Sequence, residues 1–353
     1  MSKKFMTAVA AAAVLSSVAF AGPAAFAKTS ISETGSTFAK GILTACAAAY
    51  TADTVNVDPA AGGSGAGRTA YLNGTVDFAA SDTATSSNIS GATPNDGRGL
   101  VVAPIVGGPV AIPFNLKGKN NAVITNLQLN ASVLTGIFTG DITKWNDAAI
   151  QAINPSVKSN LPATDITVAY RGSSSGTTQN FLDYLKQQSG SAKITVGSTF
   201  ASAIAGGAPA GGYAAADSGA LATYVDNNNG AIGYVDLKDA KSHPTAWASI
   251  KNNAGVYVQP TVARSAAFLA AQTVSANGSV TLNFTKKVVG GYDLSLITYG
   301  YAPTGAGSKG TAVKKFLTYL VNTCAPSKAA GLGYVALTGG LKSAALAKIN
   351  NIG

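Results

Sequence analysis

A loop rich in serine and glycine between a predicted strand and a predicted helix, residues 170–178, constrains this chain most. Its sequence, Tyr-Arg-Gly-Ser-Ser-Ser-Gly-Thr-Thr, follows a β-like run over 165–170 and precedes an amphipathic helical run over 179–186. The first amides of a helix lack an acceptor within it and carry the positive end of its dipole. Arg171 adds a planar, two-pronged cation suited to an oxyanion. The pattern predicts a site for phosphate or a similar anion, and the alternative is a capped turn with a surface arginine.

This loop is not a nucleotide P-loop, because the lysine of the G-x-x-x-x-G-K-[ST] pattern is missing. Two further loops of the same composition support an anion site. Residues 33–38 precede a helical run over 39–50, and residues 60–67 precede one over 68–72. Three such loops at predicted helix starts supply many amide and hydroxyl donors.

Four motifs together resemble a known family. G-x-T-F at 35–38, G-S-G at 63–65, V-D-F-x-x-S-D at 76–82 and Y-R-x-x-S-S-G-T-T at 170–178 occur in this order. They resemble the phosphate-binding proteins of the high-affinity phosphate ABC transporter, the PstS family, and the DING-type branch is the most similar. The run over 134–145 also matches the F-x-G-x-I-x-x-W segment of that family.

The resemblance implies a set of phosphate contacts. The positions that match the family's ligand-binding residues are Thr37, Phe38, Ser64, Asp82, Arg171, Ser175, Gly176 and Thr177. Hydroxyls and amides would surround the anion, Arg171 would pair with its charge, and Asp82 would accept a proton from it. One position departs from the family pattern: Ser173 stands where the family has an acidic residue that holds the arginine.

The predicted architecture is α/β, because strand-like and helix-like runs alternate along the chain. The resemblance implies a periplasmic-binding-protein type II fold, in which two lobes are joined by a hinge and ligand lies in the cleft. We expect lobe 1 to comprise residues 28–107 and 246–353, and lobe 2 residues 108–245. Ligand contacts would then come from both lobes.

The first 27 residues are predicted to be a cleaved signal peptide. Lys3 and Lys4 precede an apolar run over 7–21, and Ala-Phe-Ala at 25–27 fits a cleavage site. A retained membrane anchor is the alternative, although the apolar run is short for a membrane span. No cysteine stands at the cleavage point, so we expect no lipid anchor. The protein is therefore expected to be periplasmic or secreted.

Cys46 and Cys324 are the only cysteines. In an exported protein two cysteines usually pair, and buried free thiols are the alternative. The resemblance places both residues in lobe 1, which favours a disulfide between them.

Charge and composition limit the functional classes. The formal net charge is +10, and the lysines after Asp293 form no run longer than the pair Lys314-Lys315, as on a solvated helix face. We therefore expect no nucleic acid partner. The single histidine, His243, and the lack of metal-ligand spacing predict neither a metal nor another cofactor.

The favoured function is an exported, monomeric solute-binding protein that captures inorganic phosphate and delivers it to the transmembrane subunits of an ABC permease. It would not be an enzyme. Two alternatives stay open from the sequence: an extracellular interaction or adhesion module of the same fold, and a phosphatase that uses the same anion site.

Overall fold

The computed structural model describes residues 27–58, 62–84, 94–275 and 280–353. The predicted signal peptide, apart from Ala27, lies outside these residues. Within the described ranges, no helix combines the length and the apolar character that crossing a membrane requires.

Sixteen strands are present in the described part of the chain. They are β1 (Ser30–Gly35), β2 (Thr54–Val57), β3 (Phe78–Ser81), β4 (Val101–Ala111), β5 (Pro113–Phe114), β6 (Gln128–Leu129), β7 (Thr167–Arg171), β8 (Tyr213–Ala215), β9 (Ala231–Ile232), β10 (Val235–Asp236), β11 (Ala246–Trp247), β12 (Ser249–Lys251), β13 (Tyr257–Val258), β14 (Thr273–Val274), β15 (Val280–Thr281) and β16 (Ser295–Ala302).

The helices alternate with these strands. In the described ranges they are α1 (Lys40–Ala49), α2 (Ser64–Leu72), α3 (Ala131–Phe138), α4 (Ala148–Ile153), α5 (Gly176–Ser189), α6 (Phe200–Ala203), α7 (Ser218–Asn227), α8 (Leu237–Lys241), α9 (Val262–Ala270), α10 (Gly307–Tyr319), α11 (Ala325–Lys328) and α12 (Gly339–Ile349). A 3₁₀ turn covers Lys158–Asn160, and a π-helical turn over Leu320–Cys324 continues α10 into α11.

The larger sheet has the strand order β10-β4-β16-β3-β1-β2. β1 runs parallel to both β2 and β3, whereas β16 is antiparallel to β3 and β4. All eight residues of β16 are buried, and this strand contacts four helices, α2, α5, α9 and α10. Because β1 and β3 are parallel neighbours, their carboxyl ends meet at one edge of the sheet.

The smaller sheet has the order β11-β5-β9-β7-β8. β7 runs parallel to β8 and β9 and ends at Arg171, directly before the loop that opens α5. Two small sheets, β13-β12-β6 and the β14-β15 hairpin, complete the strand pairing.

The two main sheets form two α/β lobes, which confirms the predicted fold class. The chain leaves the first sheet after Ala111 and returns to it at β10. β4 thus stays in the first sheet beyond residue 107, and β11 still pairs with β5 of the second sheet beyond residue 245. The division into 28–107, 108–245 and 246–353 stays a prediction.

A disulfide joins Cys46 of α1 to Cys324 at the end of the π-helical turn, with 5.7 Å between the two Cα atoms. It links residues separated by 278 positions, and both lie in the helical layer that packs on the larger sheet. The predicted pairing is confirmed, so the two ends of the chain are held in one lobe.

Candidate anion-binding site

Arg171 is a buried cation that has no carboxylate partner in the part of the chain that the structure describes. Its relative exposure is 1%, and no aspartate or glutamate of the described residues lies within 4.0 Å of its nitrogens. Nη1 donates to Thr37 Oγ1 at 2.9 Å and makes longer contacts with the hydroxyls of Ser175 at 3.4 Å and Ser218 at 3.5 Å. These hydroxyls come from both lobes.

The other side of the guanidinium is held by neutral groups as well. Nη2 donates to Ser173 Oγ at 3.0 Å and to the carbonyl of Ala216 at 3.3 Å. Nε has no hydrogen-bond partner among the described residues. Ser173 also donates to the Ala216 carbonyl at 3.2 Å. Ser173 therefore orients the arginine at the position where the resemblance implies an acidic residue, but it supplies no negative charge.

Burial is the main electrostatic influence on Arg171 and lowers its pKa, while Tyr234 and the more distant carboxylates of Asp217 and Asp82 oppose that change. A charge removed from water and paired only with dipoles is costly. The arrangement is suited to a bound anion, which would supply the missing counter-charge.

Asp82 is the second charged group of the site and directly follows β3. Its relative exposure is 3%, and four hydroxyls surround its carboxylate. Oδ1 accepts from Ser36 at 2.5 Å and from Thr298 at 2.8 Å. Oδ2 makes only long contacts, 3.3 Å to Ser64 and 3.4 Å to Thr177. Oδ2 is thus the oxygen with capacity left to accept a proton from a ligand.

The pKa of Asp82 is raised by burial, and the hydrogen bonds from Ser36, Thr298, Ser64 and Thr177 oppose that rise. Hydroxyl donors stabilise the ionised form of a carboxylate. The backbone amide of Asp82 donates to Ser64 Oγ at 3.0 Å, which ties the carboxylate to the first residue of α2.

The start of α5 faces Asp82 at very short range. Ser175 caps this helix, and its hydroxyl accepts from the amide of Thr178 at 3.2 Å. A Cβ atom added to Gly176 would lie 2.5 Å from Ser64 Oγ and 2.7 Å from Asp82 Cβ. Only glycine permits this approach, so the amino end of α5 in lobe 2 sits against the Asp82 loop of lobe 1.

The segment between β1 and α1 supplies the remaining predicted residues. Thr37 joins the lobes, since its hydroxyl lies 3.0 Å from that of Ser218. Phe38 is fully buried, its ring packs against Tyr334, and its carbonyl accepts from the hydroxyl of Tyr334 at 2.7 Å. The Phe38 side chain therefore anchors the loop, and only its backbone is suited to a ligand role.

The structure thus brings the eight predicted positions into one cluster, in which Arg171 and Asp82 are the charged members. It adds residues that the motifs did not identify: Ser36, Asn180, Ser218 and Thr298. Ser36 lies within the G-x-T-F motif, and Ser218 follows Asp217, a helix-capping residue, so both had a sequence signal. Thr298 lies in the middle of β16 and had none.

The site pairs one uncompensated cation with one carboxylate that can accept a proton. This combination favours an oxyanion that still carries hydrogen. No group of three histidine, cysteine or acidic side chains placed to hold a metal ion occurs in the described residues.

The fold and the site place the chain in a known class of binding protein. The sequence model of a family described as "PBP superfamily domain" matches residues 22–323, and the chain belongs to this superfamily. Within it, the chain belongs to the PstS family. Phosphate-binding protein PstS3 of Mycobacterium bovis is 30% identical over 301 residues, which cover 83% of this chain and 78% of that protein.

A second relative is more similar over a shorter stretch. Phosphate-binding protein PstS of Xylella fastidiosa (strain Temecula1) is 35% identical over 232 residues, 65% of this chain and 59% of the relative. The matched part of this chain therefore spans less than two thirds of the length of that relative.

Solved structures share the fold. A high affinity periplasmic phosphate-binding protein (PfluDING) bound with phosphate gives a TM-score of 0.73 at 24% identity, covering 90% of this chain and 93% of that one. The ancestral soluble variant of the Human Phosphate Binding Protein gives 0.72 at 24% identity over the same shares. The resemblance inferred from the four motifs is confirmed at the level of family and fold.

Proposed function

We propose that this protein is an exported solute-binding protein that captures hydrogen phosphate between its lobes and delivers it to an ABC permease. The observation that carries the proposal is Arg171, a buried guanidinium that faces hydroxyls of both lobes and has no carboxylate partner among the described residues. The names of the relatives, which are phosphate-binding proteins, support the same ligand.

Phosphate would complete the electrostatics of the site. Charge-assisted pairs between a guanidinium and an oxyanion are short and strong, and they can be bidentate. Thr37, Ser64, Ser175 and Thr177 would supply hydroxyl donors, while Phe38 and Gly176 would supply backbone amides. The amino end of α5 adds its dipole.

Asp82 would select the protonated form of the anion. Its Oδ2 has only long hydrogen bonds within the protein, so the proton of hydrogen phosphate would gain a strong acceptor there. A fully ionised anion of the same shape has no proton to donate and would place an oxygen against an unsatisfied carboxylate.

Ligand would also stabilise the closed arrangement of the lobes. Arg171 and Gly176 belong to the β7–α5 unit of the second sheet, whereas Thr37, Ser64 and Asp82 belong to the first. A ligand that contacts both sets binds the closed state more tightly and shifts the population towards it.

The protein is proposed to act by binding alone, as a monomer and without a cofactor. The hydroxyls of the site donate to Asp82 or contact Arg171, and none of them is paired with a histidine in the described part of the chain. An assay of phosphomonoester hydrolysis with rigorously purified protein tests this point, and released phosphate in proportion to the protein would contradict it.

Isothermal titration with inorganic phosphate tests the proposal. The wild type should bind one phosphate per chain, and Arg171→Met, which keeps the length but not the charge, should bind at least about tenfold more weakly, since a hydrogen bond to a charged group contributes roughly 1.5–3 kcal/mol. Arg264→Met on α9 is the matched control and should bind as the wild type does. Absence of phosphate binding by the folded wild type would refute the proposal.

Delivery to a permease needs a cellular measurement. Deletion of the gene should lower phosphate uptake at limiting phosphate, and the wild-type gene should restore it while Arg171→Met should not. Unchanged phosphate uptake after deletion would mean that the protein binds phosphate without serving transport, which would contradict this part of the proposal.

A further inference from the structure

A second arginine, Arg68, donates hydrogen bonds to the segment that carries Asp82. Arg68 lies one helical turn after Ser64 on α2, so both side chains share a face of that helix. Nη1 of Arg68 donates to the hydroxyls of Ser81 and Thr83, each at 2.9 Å. These two residues flank Asp82, and Ser64 bonds Asp82 itself.

The packing of α2 fixes the position of this arginine. A Cβ atom added to Gly67 would lie 2.5 Å from Gly35 Cα, 3.0 Å from the Thr34 carbonyl oxygen and 3.1 Å from that of Ala80, so α2 rests directly on the ends of β1 and β3. The hydroxyl of Tyr301 donates to the Thr83 carbonyl at 2.9 Å and holds the same segment from β16. The Asp82 loop is therefore held by hydrogen bonds from Arg68 of α2 and from Tyr301 of β16.

Arg68 is also a source of positive charge for Asp82. It forms no salt bridge with any carboxylate in the ranges that the structure describes. Burial lowers the pKa of its guanidinium, and Tyr301 and then Asp82 oppose that change. Its hydrogen bonds to Ser81 and Thr83 hold this positive charge next to the segment that carries Asp82, and a nearby cation favours the ionised form of a carboxylate.

Other titratable groups also face Asp82. Asp183 of α5 and Tyr299 of β16 line a cavity together with Asp82. The negative charge of Asp82 acts to raise the pKa values of Arg171, Arg68 and Tyr334. Among these groups only the two arginines are cations. A bound anion would neutralise Arg171, and Arg68 would then be the cation that still acts on Asp82.

We propose that Arg68 is a positioning residue for anion specificity, which keeps Asp82 ionised and oriented so that the site accepts only oxyanions that carry a proton. This inference rests on the proposed function. Without Arg68, burial would drive Asp82 to take up a proton at higher pH. The protonated acid can donate a hydrogen bond, and the site would then admit a fully ionised anion such as sulfate.

The test measures phosphate and sulfate affinities by calorimetry between about pH 6 and about pH 8 for wild type, Arg68→Gln and Arg68→Lys. Sulfate holds no proton in this range, so its affinity reports the state of Asp82. In Arg68→Gln the phosphate-to-sulfate affinity ratio near pH 6 should fall by about tenfold, because a larger share of Asp82 would then be protonated and able to donate to sulfate. Arg68→Lys keeps the charge and should keep the ratio.

Arg98→Gln is the matched control, because Arg98 contacts the end of α2 through the Tyr71 carbonyl at 3.1 Å and pairs with Asp96 instead of serving the Asp82 loop. Its ratio should equal that of the wild type. The infrared carbonyl band of a protonated carboxylic acid, assigned to Asp82 by its loss in Asp82→Asn, should appear at higher pH in Arg68→Gln than in the wild type.

Several outcomes would overturn the inference. Equal weakening of both anions in Arg68→Gln, with the ratio unchanged, would show that Arg68 has a structural role only. If Arg68→Gln does not fold, a tenfold loss of the ratio in Arg68→Lys would show that hydrogen-bond geometry, not charge, is decisive. Failure of the wild type to bind phosphate would instead refute the proposed function.

Discussion

Replacement of Asp82 by asparagine should convert a phosphate-selective site into one that also accepts sulfate. Hydrogen phosphate and sulfate have the same shape and the same charge of about −2 near neutral pH, so their overall attraction to Arg171 is similar. They differ in one proton. In the wild type that proton would lie between the phosphate and Asp82 Oδ2, whose own contacts are only 3.3 and 3.4 Å long.

The magnitude follows from the hydrogen bond that sulfate cannot make. A hydrogen bond to a charged group contributes roughly 1.5–3 kcal/mol, and about 1.4 kcal/mol corresponds to a factor of ten in affinity. The wild type should therefore prefer phosphate by roughly 10- to 150-fold or more. An asparagine amide both donates and accepts, and the surrounding hydroxyls can reorient to suit it. The ratio should fall towards one, chiefly because sulfate binds more tightly.

Competition calorimetry with both anions measures the ratio for each protein. Asp217→Asn is the matched control, because Asp217 also lies near Arg171 but its Oδ1 caps α7 by accepting from the Ala220 amide at 2.8 Å, and asparagine caps helices equally well. Comparable affinities for phosphate and sulfate in the wild type, or the same ratio in Asp82→Asn, would refute the assignment of Asp82 as the proton acceptor.

Three further predictions concern the fold and closure. Reduction of the disulfide should lower the free energy of unfolding by about 2–5 kcal/mol, measured by denaturant titration; unchanged stability would contradict it. Gly176→Ala should weaken phosphate binding by about tenfold, since its Cβ would lie 2.5 Å from Ser64 Oγ; Gly305→Ala, with open space around it, should not, and equal affinities in the two variants would contradict the close approach. Burial raises the pKa of Glu33 to about 8, so the neutral acid is favoured in the folded state and stability should fall as pH rises from about 4.5 to about 8; Glu33→Gln should remove that part of the pH dependence, and identical pH profiles would contradict it.

Much of the site was predictable because its residues lie in local motifs. The helix predicted over 179–186 begins three residues earlier, at Gly176, and the run over 39–50 forms a helix from Lys40 to Ala49. A helix start, its capping serine and its exposed amides are properties of a few consecutive residues. The anion-binding character of these loops therefore follows from sequence.

The rest depends on contacts between distant parts of the chain. Thr298 reaches Asp82 because β16 pairs with both β3 and β4, and the register of β16 against β4 shifts directly after Thr298. The sequence pattern of a buried strand does not show which of its threonines donates a hydrogen bond to a carboxylate. Likewise the continuous apolar run over 101–114 hides the point at which the chain leaves the first sheet, after Ala111.

The most direct test of the account is to locate the anion. Arsenate has the shape and proton of phosphate, and arsenic gives an anomalous X-ray signal. In crystals grown with arsenate, one arsenic peak should lie between Arg171 and Asp82, with its oxygens within hydrogen-bond distance of Arg171, Thr37, Ser64 and Thr177 and one of them directed at Asp82 Oδ2. An arsenic peak elsewhere, or none in protein that binds arsenate in solution, would contradict it.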